Sequence, residues 1–280
     1  MDATTKKALQ ATACKVRMGI IEGTFNAKSG HPGGSLSIAE ILTYLYFKEM
    51  NIDPENPQKP DRDRFVLSKG HAAPALYSVM AQRGFFPVEE LKTLRKVGSR
   101  LQGHPSMRCL PGVDISTGSL GQGISTAVGM ALGAKISGKS FRVFTALGDG
   151  EIQEGQVWEA AMYACAKGLD NLVAVIDNNN LQIDGTVAEV NSPYPIAEKF
   201  KAFGWNVIEI YADSFDEIDA AFNAAIEFKG KPTAIVAKSV KGKGVSFMEG
   251  QCSWHGKAPN EEQYKEAMAE LNDTLAALEA

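Results

Sequence analysis

Two short polar segments carry residue types that could bind a metal ion. One is the Gly-Asp-Gly sequence at residues 148–150, and the other is Asp-Asn-Asn-Asn at residues 177–180. The carboxylate of Asp149 and the carboxamide of Asn179 are hard oxygen ligands, which suit magnesium or calcium better than a soft metal. The glycines let a diphosphate group approach the backbone, and a helix beginning near Gln153 would direct its amides toward that group. These segments are therefore a candidate site for a divalent cation and a diphosphate.

Each segment also has a plain structural interpretation. Asp, Asn and Gly are the usual residues of turns, so Gly-Asp-Gly on its own is more often an ordinary turn and the asparagine run an ordinary loop. Both segments, however, directly follow apolar stretches, and one helix and one return strand separate them. Adjacent parallel strands would bring Asp149 and Asn179 to the same edge of a sheet, where ligands bind in such folds. The combination favours the binding site over the ordinary turn.

The histidines form a second group of residues with chemical potential. There are four, and each has a glycine neighbour, which chance would give a histidine about one time in five with 27 glycines among 280 residues. Glycine marks loops and turns, where site residues tend to lie. For any single histidine the alternative is a loop residue bonded to solvent or backbone, but together they indicate a pocket that moves protons near neutral pH. The four are His31, His71, His104 and His255.

Alternating strands and helices must position these residues. Continuous apolar stretches such as LVAVI predict strands in a sheet that is covered on both faces. The alternation is typical of an α/β fold with a doubly wound, mostly parallel sheet and helices on both faces. The predicted strands are residues 64–67, 141–147, 172–177, 206–211 and 233–237, and the predicted helices between them are 153–167 and 215–228.

The N-terminal part predicts two helices around a glycine-rich loop. The first helix is expected from about Thr5 to Lys28, with apolar residues on one face. The sequence SGHPGG at residues 29–34 predicts a loop, because its glycines and proline do not continue a helix. Ser37 is expected to cap the second helix, with Glu40 at the capping-box position.

The composition limits the class of protein. The chain has 280 residues, of which 44% are apolar and 22% charged, and a formal charge of −4, as expected for a globular protein with one domain spanning residues 1–280. It offers no basic patch for nucleic acid or an anionic membrane. The N-terminus lacks the apolar core of a signal peptide, and no apolar run reaches membrane-spanning length. The four cysteines lie far apart, which argues against a zinc site or a disulfide framework and favours a cytoplasmic location.

The segments around the candidate residues resemble those of transketolases. The stretch from GDGEIQEG to VIDNNN is similar to the motif that thiamine-diphosphate enzymes share. Other segments narrow the resemblance to the transketolase family, in the family's order from about residue 5 to residue 260; they are SGHPGGSLSIAEILTYLY, LSKGHAAPALY, GHPS, STGSLGQGISTAVGMALG, KGKGVSFMEG and WHG. The resemblance implies a thiamine-diphosphate-binding fold, and within it the diphosphate-binding domain.

The resemblance also implies roles for individual residues. Thiamine diphosphate would bind through Mg²⁺, for which Ca²⁺ or Mn²⁺ could substitute. The metal ligands would be the side chains of Asp149 and Asn179 and the main-chain carbonyl of Leu181. The residues that contact or line the cofactor would be His71, Gly118, Leu120, Asp149, Gly150 and Asn179. The catalytic residues, facing sugar hydroxyls or the thiazolium, would be His31, His71, His104 and His255.

The implied activity is the transfer of a two-carbon ketol unit from a sugar phosphate donor to an aldose acceptor. Transketolases also need a glutamate that protonates the aminopyrimidine, and it lies in a pyrimidine-binding domain for which this chain has no matching segment. The resemblance therefore implies a partner subunit that carries this domain, an α2β2 assembly, and no activity of this chain alone. The alternatives are a subunit of another split thiamine-diphosphate enzyme, such as a dehydrogenase α subunit or a deoxyxylulose-phosphate-synthase-like protein, and a non-catalytic paralogue that binds the cofactor.

Five further positions have less specific interpretations. Lys241 and Lys243 could face a substrate phosphate, although a lysine in a glycine-rich loop is more often solvated. Gly129 and Gly133 recur at helical spacing, which favours tight packing against the sheet or a neighbouring subunit over contact with a cofactor. The resemblance places Glu154 at a subunit contact.

Overall fold

A computed structural model describes all 280 residues and contains one five-stranded sheet. The strand order is β1-β2-β3-β5-β4, and every neighbouring pair is parallel. The strands are β1 (Arg64–Leu67), β2 (Val143–Gly148), β3 (Leu172–Asn178), β4 (Asn206–Tyr211) and β5 (Thr233–Lys238). The α/β fold with a parallel sheet is therefore confirmed, and each predicted strand is found within two residues of its expected bounds.

Ten α-helices surround the sheet. They are α1 (Ala3–Ala27), α2 (Pro32–Leu36), α3 (Ala39–Tyr44), α4 (Ala73–Arg83), α5 (Gln122–Ile136), α6 (Gly155–Ala166), α7 (Val187–Asn191), α8 (Ile196–Ala202), α9 (Phe215–Glu227) and α10 (Glu261–Glu279). The long first helix begins after Asp2, whose side chain accepts a hydrogen bond from the amide of Thr5, and it ends at Lys28, which has a left-handed backbone. No helix is both long enough and apolar enough to cross a membrane.

Alternate side chains of the strands enter two separate apolar cores. On one face, Phe144 and Val175 belong to a cluster that includes residues of α1, α3, α4 and α9. On the other face, Leu147 and Ile176 belong to a cluster with residues of α5, α6 and α8. Because successive strand residues point to opposite faces, nearly continuous apolar strands are what a sheet covered on both sides requires.

The region between α1 and α3 differs from its prediction in two ways. Residues 29–34 were expected to form a loop, but Pro32–Leu36 is a short helix, since proline is well accommodated at the first helical position. Ser37 does not cap α3; its hydroxyl donates to Oδ2 of Asp177 at 2.6 Å. Glu40 does not complete a capping box, because its carboxylate forms a buried ion pair with Arg17. In both cases a tertiary partner replaces the local bond that the sequence indicated.

The glycines of α5 also differ from expectation. The buried face of this helix, which includes Ile124 and Ala131, packs on the sheet. Gly129 and Gly133 lie on the opposite, exposed face, and a Cβ atom added to either would contact nothing within 4 Å. Packing of these two glycines against the sheet is therefore wrong, and packing against a neighbouring subunit stays a prediction.

The register of the sheet places the candidate segments side by side. Gly148 of β2 is aligned with Asp177 of β3, and Asn178 of β3 with Lys238 of β5. The loops after these strands therefore meet at one edge of the sheet, at the carboxyl ends of the strands, where the candidate site lies.

Candidate active site

The structure brings the four histidines together from four distant segments. His31 lies immediately before α2, His71 in a 3₁₀ turn after β1, His104 in the loop that precedes α5, and His255 after a 3₁₀ turn near residue 253. The ring centroid of His31 is 5.3 Å from that of His71, 6.3 Å from that of His104 and 5.4 Å from that of His255. The rings of His71 and His255 are 5.1 Å apart. Their roles in catalysis remain predictions.

Burial keeps these imidazoles neutral. It lowers the pKa of His31 to about 4 and that of His255 to about 3, with neighbouring positive charges adding to the effect. Burial also holds the pKa of His71 well below its ordinary value, and lowers the pKa of the more exposed His104. A neutral imidazole has one nitrogen that donates a hydrogen bond and one that accepts one. The cluster can therefore act as donor or as acceptor toward hydroxyl groups. The buried Nδ1 atom of His31 has no partner within the chain, as expected of a group that bonds a ligand.

Lys241 is a buried member of this cluster. Its Nζ atom lies 2.9 Å from Nδ1 of His255 and donates to the main-chain carbonyl of Leu181 at 2.9 Å. Burial, together with the charge of Lys69, lowers the pKa of Lys241 to about 8. Lys243 faces another way, with its Nζ atom 3.5 Å from the carboxylate of Asp213. The sequence did not separate the two lysines, but in the structure only Lys241 lies among the site residues.

The three oxygens expected to bind a metal ion come from two adjacent loops. The buried carboxylate of Asp149 accepts hydrogen bonds from the amides of Gly150 and Asn180, and the side-chain oxygen of Asn179 accepts one from the amide of Leu181. The bond from the Asn180 amide holds Asp149 against the loop that carries the other two ligands. The pKa of Asp149 is raised to about 7, mainly by burial and secondly by the negative charge of Asp177. A carboxylate, a carboxamide and a carbonyl are a suitable set for Mg²⁺, so the residues fit this ion.

Asp177 connects these loops, although sequence reasoning did not select it. This carboxylate, 2% exposed, accepts hydrogen bonds from the side chains of Ser37, Lys69, Asn179 and Ser239. Burial raises its pKa, but the charge of Lys69 and the hydrogen bonds from Lys69, Ser239 and Ser37 together outweigh burial, and the pKa of Asp177 is lowered overall. The position of Asp177 at a strand end was the available signal, whereas nothing in the sequence indicated that Lys69 would be its partner.

The predicted cofactor-lining positions lie on the same edge. A Cβ atom at Gly150 would be 2.8 Å from Oε1 of Gln182, and one at Gly118, where φ is +141°, would be 2.9 Å from the ring of His104. Position 118 therefore needs glycine, whereas at Gly150 the nearest atom is the end of a flexible side chain that can move away. Leu120 is 37% exposed in the same turn.

A second buried carboxylate, Glu151, joins that turn to the Gly-Asp-Gly loop. It accepts hydrogen bonds from the hydroxyl of Ser68 and from the amides of Gly121 and Gly148. Burial raises the pKa of Glu151. Glu154, expected at a subunit contact, is exposed.

Comparison with known proteins identifies the class to which this fold and site belong. Residues 8–273 match the family described as "Transketolase, thiamine diphosphate binding domain". The chain belongs to this family, and it is a transketolase-type, thiamine-diphosphate-binding chain that corresponds to the N-terminal part of transketolases.

Individual relatives narrow the comparison. The chain is 48% identical to a 6-deoxy-6-sulfo-D-fructose transketolase subunit of Clostridium sp. (strain MSTE9), over 94% of this chain and 96% of that protein. It is 42% identical to one subunit of the apulose-4-phosphate transketolase of Phocaeicola vulgatus, over 98% of this chain and 97% of that protein. The crystal structure of transketolase from Campylobacter jejuni superimposes with a TM-score of 0.90 at 32% identity. This alignment covers 99% of our chain but 46% of the C. jejuni chain, so the chain spans about half the length of that enzyme.

Proposed function

We propose that this chain is the diphosphate-binding subunit of a two-chain transketolase, which transfers a two-carbon ketol unit from a ketose donor to an aldose acceptor. The observation that carries the proposal is a cluster of four neutral histidines that Lys241 joins to the loop of the proposed metal ligands, since its Nζ atom contacts both His255 and the carbonyl of Leu181. One half of such a site would hold the cofactor, and the other half would handle the hydroxyl groups of a sugar.

Asp149, Asn179 and the carbonyl of Leu181 would hold Mg²⁺, and Ca²⁺ or Mn²⁺ could replace it. The backbone of Gly150 and the ammonium group of Lys241 would face the diphosphate. The cofactor would also be lined by His71, Gly118 and Leu120. When bound, thiamine diphosphate supplies the carbanion and the electron sink of ketol transfer.

The histidines would bind, orient and exchange protons with the substrate. Nδ1 of His255 lies within hydrogen-bond distance of the ammonium group of Lys241, so its Nε2 atom carries the ring proton and can donate to a sugar hydroxyl. Nδ1 of His31 lacks a partner and is free to bond a substrate hydroxyl. His104 is the most exposed of the four, and we place it at the mouth of the site.

A partner chain would complete the site. Two relatives that match this chain over nearly their whole length are named as transketolase subunits, which supports a division of the enzyme into two polypeptides. We propose that the partner supplies the pyrimidine-binding domain with its glutamate, and that closed symmetry gives an α2β2 assembly. The same two relatives are named for a sulfonated and a phosphorylated ketose, so we further propose a ketose donor with an anionic end group.

Reconstitution tests this proposal. The purified chain is supplied with thiamine diphosphate and Mg²⁺, and ketol transfer from ketose phosphates is assayed with and without the candidate pyrimidine-binding chain from the same genome. We expect activity only in the mixture, saturating near a one-to-one ratio. Full turnover by the chain alone would contradict the two-chain proposal. Oxidative decarboxylation of a 2-oxo acid by the mixture, without ketol transfer, would instead indicate the dehydrogenase alternative.

A further inference from the structure

We propose that Asp177 is the positioning residue of this site, which fixes the orientation of the Asn179 amide and the relative placement of the loops that carry the histidines and the metal ligands. The inference rests on the proposed function, because it concerns the same metal and cofactor. Asp177 itself would touch neither.

The hydrogen bonds of Asp177 join four separate segments of the chain. Its donors are the hydroxyl of Ser37 at 2.6 Å, the ammonium group of Lys69, the amide nitrogen of Asn179 at 3.1 Å and the hydroxyl of Ser239. Each donor precedes or follows a site residue closely in sequence. Ser37 follows the helix that begins after His31, Lys69 is two residues before His71, and Ser239 is two residues before Lys241. One buried carboxylate therefore holds one point in each of these segments.

The chemistry of a carboxylate determines which way the Asn179 amide faces. An ionised carboxylate only accepts hydrogen bonds, so it selects the NH₂ end of the amide. The Nδ2 atom of Asn179 faces Oδ2 of Asp177, and its Oδ1 atom is consequently turned toward the Leu181 amide and the Asp149 side of the loop. An asparagine at position 177 would have nearly the same shape, but its own amide group could also donate, so only the Leu181 amide would still select the orientation of Asn179.

Lys69 links Asp177 to the segments that carry His31 and His71. Its Nζ atom also donates to the carbonyl of Gly34 at 2.7 Å, inside helix α2 that follows His31. The α-carbon of Gly34 in turn lies close to the ring of His71, since a Cβ atom placed there would be 3.5 Å from Nε2. Lys69 is 1% exposed, and a buried ion pair is an expensive way to gain stability alone. A role in positioning explains why charges are used here.

The buried carboxylate of Asp114 provides a matched control. Asp114 pairs with Arg62 at 2.6 Å and accepts a hydrogen bond from the amide of Phe65 at 2.9 Å. This pair lies near the start of β1, at the opposite edge of the sheet from the site. Asp114→Asn thus removes a buried, paired charge of the same kind outside the two loops that carry the proposed metal ligands.

Manganese binding distinguishes positioning from general stabilisation. Free Mn²⁺ is measured by electron paramagnetic resonance while it is titrated into the full chain with thiamine diphosphate. Thermal denaturation of each variant without metal is measured in parallel. We expect Asp177→Asn to weaken Mn²⁺ binding by about 10-fold to 100-fold, the usual effect of losing a group that orients a metal ligand. Asp114→Asn should change the affinity less than about 2-fold even where it lowers the melting temperature, because residues far apart act independently.

A double variant keeps the test decisive where the single variant unfolds. Lys69→Met with Asp177→Asn leaves no unpaired buried charge but still lacks the carboxylate that orients Asn179, so we expect the same loss of Mn²⁺ affinity. Wild-type affinity in the double variant, or equal losses in Asp177→Asn and Asp114→Asn, would overturn the inference alone. Failure of the wild-type chain to bind Mn²⁺ with thiamine diphosphate, both alone and together with the candidate partner chain, would overturn the proposed function, and the inference with it.

Discussion

The ammonium nitrogen of Lys241 lies 2.9 Å from Nδ1 of His255. An ammonium group has no lone pair, so this imidazole nitrogen must accept the hydrogen bond and the ring proton must be on Nε2. Protonating His255 would place two positive charges in contact in a buried site. Burial, and after it this contact, explain why the pKa of His255 falls to about 3. The arrangement fixes one tautomer, with the donor nitrogen available to a ligand.

The pH dependence of the free chain follows from these shifted pKa values. Two-dimensional NMR of histidine-labelled protein should show no titration of His31 or His255 between pH 5.5 and 8, because their pKa values are about 4 and about 3. In the unfolded chain both titrate near 6.5. The unfolded state therefore binds more protons below that pH, and the free energy of unfolding should fall as pH drops from about 6.5 to about 4. Normal titration of both rings near pH 6.5 would contradict this account, and His255→Gln should reduce the slope.

Removal of the proposed anionic metal ligand should weaken cofactor binding strongly. Asp149→Ala deletes the only carboxylate of the proposed set and leaves the diphosphate charge poorly neutralised. Calorimetric titration of the assembled enzyme with thiamine diphosphate and Mg²⁺ should show a loss of affinity of at least about 10-fold. Asp213→Ala, an exposed carboxylate beside Lys243, is the control and should bind normally. Equal affinities for the two variants would remove Asp149 from the metal site.

The sequence predicted the framework of the site better than its supporting contacts. Strand ends and the crossover rule were enough to place Asp149 beside Asn179, because parallel strands impose that neighbourhood whatever the side chains are. They could not predict that Lys69 is buried against Asp177, since a lysine followed by glycine and histidine is usually solvated and only the tertiary structure supplies the carboxylate. The expected cap at Ser37 failed for the same reason, as its hydroxyl bonds Asp177 instead.

Two glycines that look alike in the sequence should respond oppositely to alanine. At Gly118, φ is +141° and the added Cβ would be 2.9 Å from the His104 ring, so Gly118→Ala should displace this turn and weaken thiamine diphosphate binding. At Gly129 the added methyl group meets nothing within 4 Å. Gly129→Ala should therefore stabilise the isolated chain by about 0.5–1 kcal/mol through helix propensity. Thermal denaturation and cofactor titration of both variants check this, and a reversed pattern would show that the turn at Gly118 is dispensable.

The histidines should affect turnover more than folding, but not equally. His104 is exposed, so His104→Ala should change the free energy of unfolding by less than about 1 kcal/mol. His71 is half-buried between the rings of His31 and His255, and His71→Ala should cost more, about 1–3 kcal/mol. Both should lower ketol transfer by the reconstituted enzyme. If both variants melted early but kept full specific activity, the histidines would be structural residues.

Lys241 and Lys243 offer the sharpest comparison, because they are two residues apart and face different surroundings. Lys241→Met removes the buried cation between the Leu181 carbonyl and His255. We expect thiamine diphosphate with Mg²⁺ to bind at least about 10-fold more weakly by calorimetry. A hydrogen bond between an ammonium group and a phosphate is among the stronger hydrogen bonds in proteins. Lys243→Met should have little effect, because Lys243 is half-exposed and lies beside Asp213.

A spectroscopic measurement separates this role of Lys241 from a merely structural one. Burial is the first cause of the low pKa of His255 and the charge of Lys241 the second. In Lys241→Met the pKa of His255 should therefore rise from about 3 but stay below its ordinary value, because burial remains. The same NMR titration in Lys243→Met should show no change in His255. Weaker diphosphate binding without a change in the His255 titration would mean that Lys241 acts at a distance from this ring and that their contact is not maintained in solution.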